Sequence, residues 1–480
     1  MNATLQIDLE RQLAFAHLAG DYNPLHVDLA AARRSQFGTC VVHGVHLILG
    51  ALDSTPIQHP FGIERLDAQF RSAVLVGGKV EFVHTDLGDG AWRIDVLQGV
   101  QKRATVVIHT VAKSSPVPDR AHAPEWPSSF ATTTHIEDLS VTCGTEVLTC
   151  DRDLLEQLFP RVAQLVSSSD VDTILGATRV VGMRCPGEMA LFRRLEWRPA
   201  TALSPLNGNT EGQLHYSVSS VDPRYSLVRI AMSTAERDAT AEVLFRIPPP
   251  AQPTLAAVRA SVASDEFEGV RALVIGGARG LGELTAKILV AGGSRVFLTY
   301  RSGVADAKRL AAELGHRAEV AQLDVEDPEP AARGLIHSFA PTHLFYFATP
   351  PIQKLTSGTW DASAYDRLRA IYANGFAGQL DVASAAGALH SVFLPSTSYI
   401  DEAPSGFGEY VAAKVAGEAV ASEWQRTHPQ QHVVCERLPP LVTDQTAASL
   451  GDDTTSNMSI MLPVLRRFIA PFRQRTAIQQ

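Results

Sequence analysis

The sequence predicts an α+β half followed by an α/β half built on a doubly wound parallel sheet. Residues 40–52 are apolar on nearly every helical face, which is typical of a helix wrapped by a sheet. Strand-like runs follow this helix at 66–75, 78–85, 92–98 and 104–112. From residue 269 onward strands alternate with helices, and residues 270–275 form the continuous apolar strand expected in a parallel sheet.

Composition predicts a division into domains at 1–115, 125–250 and 265–480. A segment rich in proline, serine, threonine and alanine at 113–135 marks the first boundary, and the proline run Pro248–Pro253 marks the second. In the middle domain we predict a helix at 153–166 and strands at 190–197, 212–220 and 226–233. Residues 140–250 could repeat the fold of the first domain. The alternative is an unrelated acyl-binding or linker domain.

Charge and cysteine content exclude several classes of protein. The formal net charge is −9 and there is no basic run, which argues against a nucleic-acid partner. The five cysteines contain no C-x-x-C, so we predict reduced thiols and no metal site. The longest apolar run, Val45–Leu52, is far shorter than the ~20 residues that span a bilayer, and the N-terminus has no signal pattern. We therefore expect a cytoplasmic protein without a membrane or nucleic-acid partner.

The segment Asp21–His26 reads Asp-Tyr-Asn-Pro-Leu-His and predicts a bent loop that carries an acid/base pair. Pro24 fixes its own φ and moves Asn23 out of the helical region. Asp21 and His26 can then point into one cleft, and a carboxylate beside a neutral imidazole can exchange protons near neutral pH. The alternative is a helix break with a capping aspartate and a surface histidine.

The start of the buried helix, near His43 and Gly44, is a predicted oxyanion site. Its first backbone N–H groups have no partner inside the helix and could polarise a thioester carbonyl. For His43 a core or rim position is an open alternative, and for His46 it is the favoured reading.

The runs Phe15–Asp28 and Phe37–His46 resemble the signature of (R)-specific enoyl-CoA hydratases of the MaoC family. The resemblance implies a hot dog fold, in which a curved antiparallel sheet wraps one long helix. It also implies that Asp21 and His26 add or remove water across a C2–C3 double bond. Asn23, His43 and Gly44 are the expected substrate-binding residues. Residues 176–187 resemble the central-helix region of a second, divergent hot dog without an acid/base loop, which favours a double hot dog.

A glycine-rich turn follows the strand at 270–275 and leads into a helix, which is the context of a dinucleotide site. The predicted cofactor contacts in this turn are Gly276, Arg279, Gly280, Leu281 and Gly282. After the second strand, at 295–300, Arg301 suits the 2′-phosphate of NADP, and Arg279 could add a second positive contact. The alternative is that Arg301 is a solvated loop residue. Asp324, after the third strand, could contact the adenine.

Tyr410 and Lys414 are four residues apart on a predicted helix and so share one face. An ammonium near a phenol is expected to lower the phenol pKa and let tyrosine exchange protons near neutral pH. Ser396, Thr397 and Ser398 end a strand upstream and could hold a substrate carbonyl.

With the glycine-rich turn, this order resembles the short-chain dehydrogenase/reductase family over residues 269–447, a Rossmann-type fold. The resemblance implies that Tyr410 donates the proton, that Lys414 binds the nicotinamide ribose, and that Asn374 holds the water of a proton relay. Thr397 is the first choice for the carbonyl hydroxyl and Ser396 the second. Ala348 and Thr443 are further expected cofactor contacts. The aromatic Tyr346-Phe347 pair before Ala348 departs from the family's asparagines.

Two such sites on one chain predict consecutive reactions on one thioester. We expect a bifunctional NADPH-dependent 3-ketoacyl reductase and 3-hydroxyacyl dehydratase acting on acyl-CoA or acyl-carrier-protein substrates, in fatty-acyl or polyketide-type synthesis. One alternative runs oxidatively, from enoyl to ketoacyl thioester. Another makes the hot dog a non-catalytic acyl-binding module or the reductase fold a scaffold. A homodimer is expected by analogy.

Overall fold

The computed structural model describes residues 2–113, 131, 135–200, 212–327, 330–352, 360–451 and 453–478. The chain forms two compact units, Met1–Pro248 and Pro249–Gln480, and the boundary between them in the sequence falls within the proline run. Most of the predicted linker at 113–135, and the predicted start of the middle domain at 125, lie outside the described residues. None of the helices in the described part combines the length and hydropathy that crossing a bilayer requires.

The first unit contains one antiparallel sheet of ten strands. Its strands are β1 (Asn2–Gln6), β2 (Phe61–Phe70), β3 (Lys79–Gly88), β4 (Ala91–Gln98), β5 (Gln101–Ala112), β6 (Cys143–Val147), β7 (Ala190–Pro199), β8 (Gln213–Asp222), β9 (Leu227–Ser233) and β10 (Arg237–Phe245). They lie in the order β1-β3-β4-β5-β2-β7-β10-β9-β8-β6. Each half of the sheet therefore repeats one order of strands, and the halves join where β2 pairs with β7.

Helices lie against this sheet in both halves of the unit. They are α1 (Leu9–Ala19), α2 (Pro24–Val27), α3 (Leu29–Ala32), α4 (Gly44–Asp53), α5 (Arg152–Leu158), α6 (Pro160–Leu165) and α7 (Ser168–Arg179), with 3₁₀ turns at Ile136–Val141 and Pro223–Tyr225 and a π-helical turn at Val180–Arg184. In α4 every residue from Val45 to Leu52 is buried, as expected of a central helix. In α7 nine of the twelve residues are buried, and one apolar core joins both helices to the sheet.

Several elements of this unit differ from the sequence-based expectation. The strand predicted at 66–75 is found at 61–70. It ends before residue 71 because the following residues leave the sheet, where the Val74 carbonyl accepts a hydrogen bond from Val42 N. The helix predicted at 153–166 breaks at Phe159, whose φ is −139° and ψ 71°, since Pro160 drives the preceding residue out of the helical region. Strands β1, β6 and β10 were not predicted.

The second unit contains a parallel sheet of six strands with helices on both faces. The strands are β11 (Arg271–Ile275), β12 (Arg295–Tyr300), β13 (Ala318–Gln322), β14 (His343–Tyr346), β15 (Ser391–Thr397) and β16 (His432–Leu438). The helices are α8 (Leu255–Arg259), α9 (Gly280–Ala291), α10 (Val304–Leu314), α11 (Pro330–Phe339), α12 (Ala362–Arg369), α13 (Phe376–Ala385), α14 (Tyr399–Glu402), α15 (Gly408–Thr427), α16 (Ala447–Leu450) and α17 (Thr455–Ile478), with a 3₁₀ turn at Gly315–Arg317 and a π-helical turn at Ala370–Gly375.

The strand order β13-β12-β11-β14-β15-β16 reverses direction between β11 and β14. In open parallel sheets a ligand binds at the carboxyl ends of the strands where this reversal occurs. The glycine-rich turn after β11 and Ala348 after β14 flank this point. The predicted doubly wound sheet is therefore found, with its reversal beside the predicted cofactor contacts.

Candidate active sites

In the first unit, the loop between α1 and α2 holds Asp21 in a buried position. Gly20 ends α1 in the left-handed conformation with φ 66°, and Asn23 caps α2 through a bond from Leu25 N to its Oδ1 at 3.0 Å. The Asp21 carboxylate accepts hydrogen bonds from Asn23 N at 3.2 Å and from the Thr178 hydroxyl at 2.6 Å. The predicted bend at Pro24 therefore exists, and it turns the carboxylate inward.

Asp21, His26 and His43 form a compact group, with one ligand-type atom from each lying within 4.8 Å of the others. His26 donates from Nδ1 to the carbonyl of Val41 at 2.7 Å, which leaves its Nε2 as a proton acceptor. Burial is the main cause that lowers the pKa of His26, to about 3, and burial also raises the pKa of Asp21. The imidazole is therefore neutral at neutral pH and stands beside a carboxyl group that is harder to ionise than usual.

Both ring nitrogens of His43 are used inside the protein. Nδ1 accepts from Gln12 Nε2 at 2.7 Å, so Nε2 carries the proton and donates to the Asp21 carbonyl at 3.0 Å. The imidazole thus supports the loop, and its geometry does not support the predicted contact with substrate. The same hydrogen bonds occupy the nitrogens that a metal ion would need. The favoured core position of His46 is found, with Nδ1 donating to Gln12 Oε1 at 3.1 Å.

A pocket opens in front of Asp21 and His26. Its first wall includes Gly44 and Phe70, and a side chain on Gly44 would meet the Phe70 ring at 2.9 Å. The N–H groups at the start of α4 have no partner inside the helix. Asn23 also lines the pocket, but its amide is engaged by Gly187 O at 3.0 Å, so it fixes the loop and is not free for substrate.

The opposite wall of this pocket comes from the second half of the unit. It is formed by Thr178, Val181, Gly182, Ala190, Leu191, Phe192 and Leu244. Sequence reasoning did not single out any of these side chains, although residues 176–187 had been recognised as resembling a central-helix region. Their function depends on which helix faces Asp21, and local sequence does not contain that information.

In the second unit, the glycine-rich turn brings backbone close to backbone. Gly276 has φ 72° and Gly280 has φ 59°, values that favour glycine. A side chain on Gly276 would lie 2.9 Å from Ala348 N, and one on Gly282 would lie 2.5 Å from the Gly276 carbonyl. The start of α9 has no side-chain cap, so its N–H groups are open to an anion. These residues fit the diphosphate of a dinucleotide.

The charged residues near this turn differ in their exposure and in the partners that their side chains already have. Arg301 follows β12 and is 56% exposed, with Glu326 at 3.8 Å. Arg279 donates to Asp444 at 2.8 Å, so a bound phosphate would have to compete with that carboxylate. Asp324 follows β13 and accepts from Glu326 N at 3.1 Å. Of the two predicted positive contacts with a 2′-phosphate, the one from Arg279 is therefore weaker than the one from Arg301.

Thr443 faces the glycine-rich turn, of which Leu281 is a part. Thr443 Cγ2 would lie 3.6 Å from a side chain on Gly280, and its N–H donates to Thr446 Oγ1 at 2.9 Å. Leu281 is partly exposed at the start of α9.

The hydroxyl groups at the end of β15 have different partners. Burial raises the pKa of Tyr410, and the neighbouring Thr397 side chain opposes part of that rise. Ser396 instead donates to Glu418 on α15 at 2.5 Å. Of these hydroxyls, Thr397 is thus the one beside Tyr410, and its role at the substrate carbonyl stays a prediction. Ser398 Oγ is buried and has no hydrogen-bond partner among the described residues.

Tyr410 and Lys414 share a face of α15, and a second aromatic ring lies with them. Lys414 Nζ donates to the Pro395 carbonyl at 2.9 Å and lies 4.2 Å from the centre of the Tyr372 ring, against 5.9 Å for Tyr410. Burial lowers the pKa of Lys414 to about 8 and raises that of Tyr410 to about 12. The predicted lowering of the Tyr410 pKa by Lys414 is not found, because desolvation dominates and the ammonium faces Tyr372.

Asn374 lies in the π-helical turn and is exposed, whereas Tyr372 is buried in the same turn. The Tyr372 hydroxyl bonds with Thr349 Oγ1 at 2.5 Å. Tyr372 was missed because an aromatic residue in a helix is more often core than site. The relay role of Asn374 stays a prediction.

The chain thus joins a unit built on an antiparallel sheet to a unit built on a doubly wound parallel sheet, each with a candidate site. Comparison with protein families gives the same division: residues 2–108 match the MaoC like domain, and residues 271–337 match the short chain dehydrogenase family. The chain therefore contains a MaoC-like dehydratase domain and a short-chain dehydrogenase domain, the latter from a family that uses nicotinamide cofactors.

Solved structures similar to this chain include a short chain dehydrogenase from Burkholderia cenocepacia in complex with NADP. It is 24% identical and has a TM-score of 0.34, over 39% of this chain and 81% of that one. A short-chain dehydrogenase/reductase from Serratia marcescens is 18% identical with a TM-score of 0.34, over the same shares of 39% and 81%. No curated protein matches the chain.

Proposed function

We propose that the chain is a bifunctional, NADPH-dependent 3-ketoacyl-thioester reductase and 3-hydroxyacyl-thioester dehydratase. The observation that carries this proposal is the presence of two proton-transfer sites on one chain, Asp21 with His26 and Thr397 with Tyr410 and Lys414. Their chemistries are consecutive, since the alcohol that the second site makes is the compound the first site dehydrates. The substrates are acyl-CoA or acyl-carrier-protein thioesters of fatty-acyl or polyketide-type synthesis.

In the reductase site, Thr397 holds the ketone oxygen and the Tyr410 hydroxyl gives it a proton. A bound NADPH would supply the hydride that the carbonyl carbon takes up. The turn from Gly276 to Gly282 and the start of α9 would hold the diphosphate, and Lys414 would hold the ribose beside Tyr410. Protonation of the oxygen by Tyr410 prevents charge from accumulating there, and this is what general acid catalysis contributes.

In the dehydratase site, the neutral His26 Nε2 takes the proton from C2, and the ionised Asp21 stabilises the imidazolium that forms. The N–H groups at Gly44 polarise the thioester carbonyl, which favours loss of the C2 proton. The C3–O bond then breaks, and the imidazolium proton leaves with the hydroxyl as water. His26 returns to its neutral form, so atoms and charge balance over the cycle.

We also propose that residues 1–115 and 125–250 are two hot dog domains and that 265–480 is the reductase domain. The repeated strand order of the ten-stranded sheet supports this division. The covalent connection would raise the effective concentration of the hydroxyacyl intermediate near the dehydratase site. Residence in the cytoplasm and assembly as a homodimer stay predictions.

The direct test supplies the protein with a 3-ketoacyl-CoA and NADPH and identifies products by mass. We expect the enoyl thioester to form with consumption of NADPH, and only the unreacted ketoacyl compound to remain when NADPH is omitted. NADPH consumption without any enoyl product, together with failure to hydrate added enoyl-CoA, would reduce the first unit to a binding module.

Cofactor choice is tested with Arg301→Ala. The guanidinium is exposed at the end of β12, where it can reach a 2′-phosphate, so the KM for NADPH should rise on the order of 10-fold while the KM for NADH stays the same. Arg295→Ala is the matched control, since Arg295 begins the same strand and pairs with Glu319. An equal effect of both variants on both cofactors would remove Arg301 from the cofactor site.

A further inference from the structure

The segment that follows α7 closes over Asp21 from the second half of the first unit. Met183 Sδ accepts a hydrogen bond from Tyr22 N at 3.2 Å, and the Gly187 carbonyl accepts from the Asn23 amide at 3.0 Å. A side chain on Gly182 would overlap the Asp21 carboxylate itself. One side of the Asp21 carboxylate thus lies against this segment. The match to the MaoC like domain ends at residue 108, well before the segment begins.

Thr178 makes the closest contact in this arrangement. Its side chain is 1% exposed, and its hydroxyl donates to Asp21 Oδ2 at 2.6 Å. A hydroxyl has one proton to donate, and a bond to an ionised acceptor is shorter and stronger than a neutral one. The contact therefore favours the carboxylate form of Asp21 and fixes the direction of its second oxygen.

The charges that face Asp21 come from several elements. Arg179 on α7 favours its ionised form, as an imidazolium on His26 would, and His43 lies with Nε2 at 3.7 Å from Oδ2. Arg246 acts on the neighbouring His26. Arg179 is itself paired with Glu146 at 3.2 Å, so its effect on Asp21 is partly neutralised. Burial opposes ionisation most strongly, and Thr178 donates the shortest hydrogen bond to the carboxylate.

We infer that Thr178 is a positioning residue of the dehydratase site, which the second half of the unit supplies to hold the Asp21 carboxylate beside His26. This inference depends on the proposed dehydratase activity. It gives the half without an acid/base loop a specific task, because the site on the first half is incomplete without it. Gly182 serves the same arrangement by leaving room for the carboxylate.

The test compares Thr178→Val, which keeps the shape and removes the hydroxyl, with Thr178→Ser, which keeps the hydroxyl. Thr178→Val should lower kcat for hydration of an enoyl-CoA by about 10- to 100-fold, the value of a hydrogen bond to a charged group, with a much smaller change in KM. The pKa of Asp21 should rise, so the acid limb of the pH–rate profile should move to higher pH. Thr178→Ser should keep the wild-type midpoint.

Thr173→Val is the matched control, because Thr173 is buried on the same helix and its hydroxyl donates to the Ser169 carbonyl at 2.7 Å. It should leave the midpoint of the profile unchanged. If Thr178→Val and Thr173→Val reduce the rate alike without moving the midpoint, Thr178 is only structural and the inference is overturned. Should Thr178→Val not fold, Thr178→Ala takes its place with the same expected shift.

Failure of the proposed function would look different. A wild-type protein without hydratase activity, or one whose activity survives Asp21→Asn, would overturn the dehydratase assignment. An active wild type that Asp21→Asn inactivates, together with an unchanged Thr178→Val, would overturn only the role of Thr178.

Discussion

Replacing Tyr410 with phenylalanine is expected to lower the rate of NADPH oxidation with a 3-ketoacyl-CoA by about 10²- to 10⁴-fold, the usual contribution of a positioned acid. The ring and its packing against Tyr372 at 5.8 Å remain, but the phenolic hydroxyl beside Thr397 is lost. NADPH binding, measured by fluorescence titration, should persist because the glycine-rich turn is unchanged. Hydration of enoyl-CoA should also persist, since that site lies in the other unit.

Tyr365→Phe is the matched control for this experiment. Tyr365 lies on α12 in the same unit, with its ring 5.3 Å from Trp360. Loss of its hydroxyl should leave NADPH oxidation unchanged. A Tyr410→Phe variant that reduces the ketone at the normal rate would show that another group protonates the oxygen.

Replacing Asp21 with asparagine is expected to lower the rate of dehydration by a similar factor, about 10²- to 10⁴-fold. The amide keeps the shape of the side chain but cannot stabilise an imidazolium on His26. With 3-ketoacyl-CoA and NADPH supplied, the 3-hydroxyacyl compound should accumulate and the enoyl product should disappear in mass detection. NADPH oxidation should continue at the wild-type initial rate.

The pH dependence of the wild type follows from the same carboxylate. Burial raises the pKa of Asp21, and in the proposed mechanism the ionised carboxylate is the active form. The dehydratase rate should therefore fall as pH decreases through that raised pKa, at a higher pH than for an exposed aspartate. His26 is neutral throughout this range because its pKa is about 3.

Asp28→Asn controls for the general effect of a lost carboxylate in this loop. Asp28 is exposed and caps α3, accepting from Ala30 N at 2.7 Å, and asparagine caps a helix as well as aspartate. The control should dehydrate normally. If Asp21→Asn does so too, the acid/base loop has been assigned wrongly.

Much of both folds could be predicted because their signals are local. The buried helix α4, the bend at Pro24 and the strand–glycine–helix passage at β11 each depend on neighbouring residues. The same holds for Tyr410 and Lys414, which share a helix face by spacing alone. Within the region that the structure describes, the pairs Asp21–His26 and Tyr410–Lys414 each come together as predicted.

The missed features depend on distant contacts or on burial. Thr178 is 157 residues from Asp21, and no local pattern could join them. The pKa of Tyr410 follows from desolvation, which sequence does not report. His43 was expected to meet substrate, but its partner Gln12 lies 31 residues earlier on another helix.

The pairing of β2 with β7 determines which part of the chain can be transferred to another protein. There Leu66 pairs with Trp197 and Asp67 with Glu196, and Arg194 holds Asp67 through two bonds of 2.8 Å. A protein that contained only the matched segment 2–108 would leave the backbone groups of β2 unpaired on the side of β7. It would also lack the opposite wall of the pocket. The segment to transfer is therefore the whole first unit, Met1–Pro248. A cut inside this unit would separate Asp21 from the residues that hold its carboxylate.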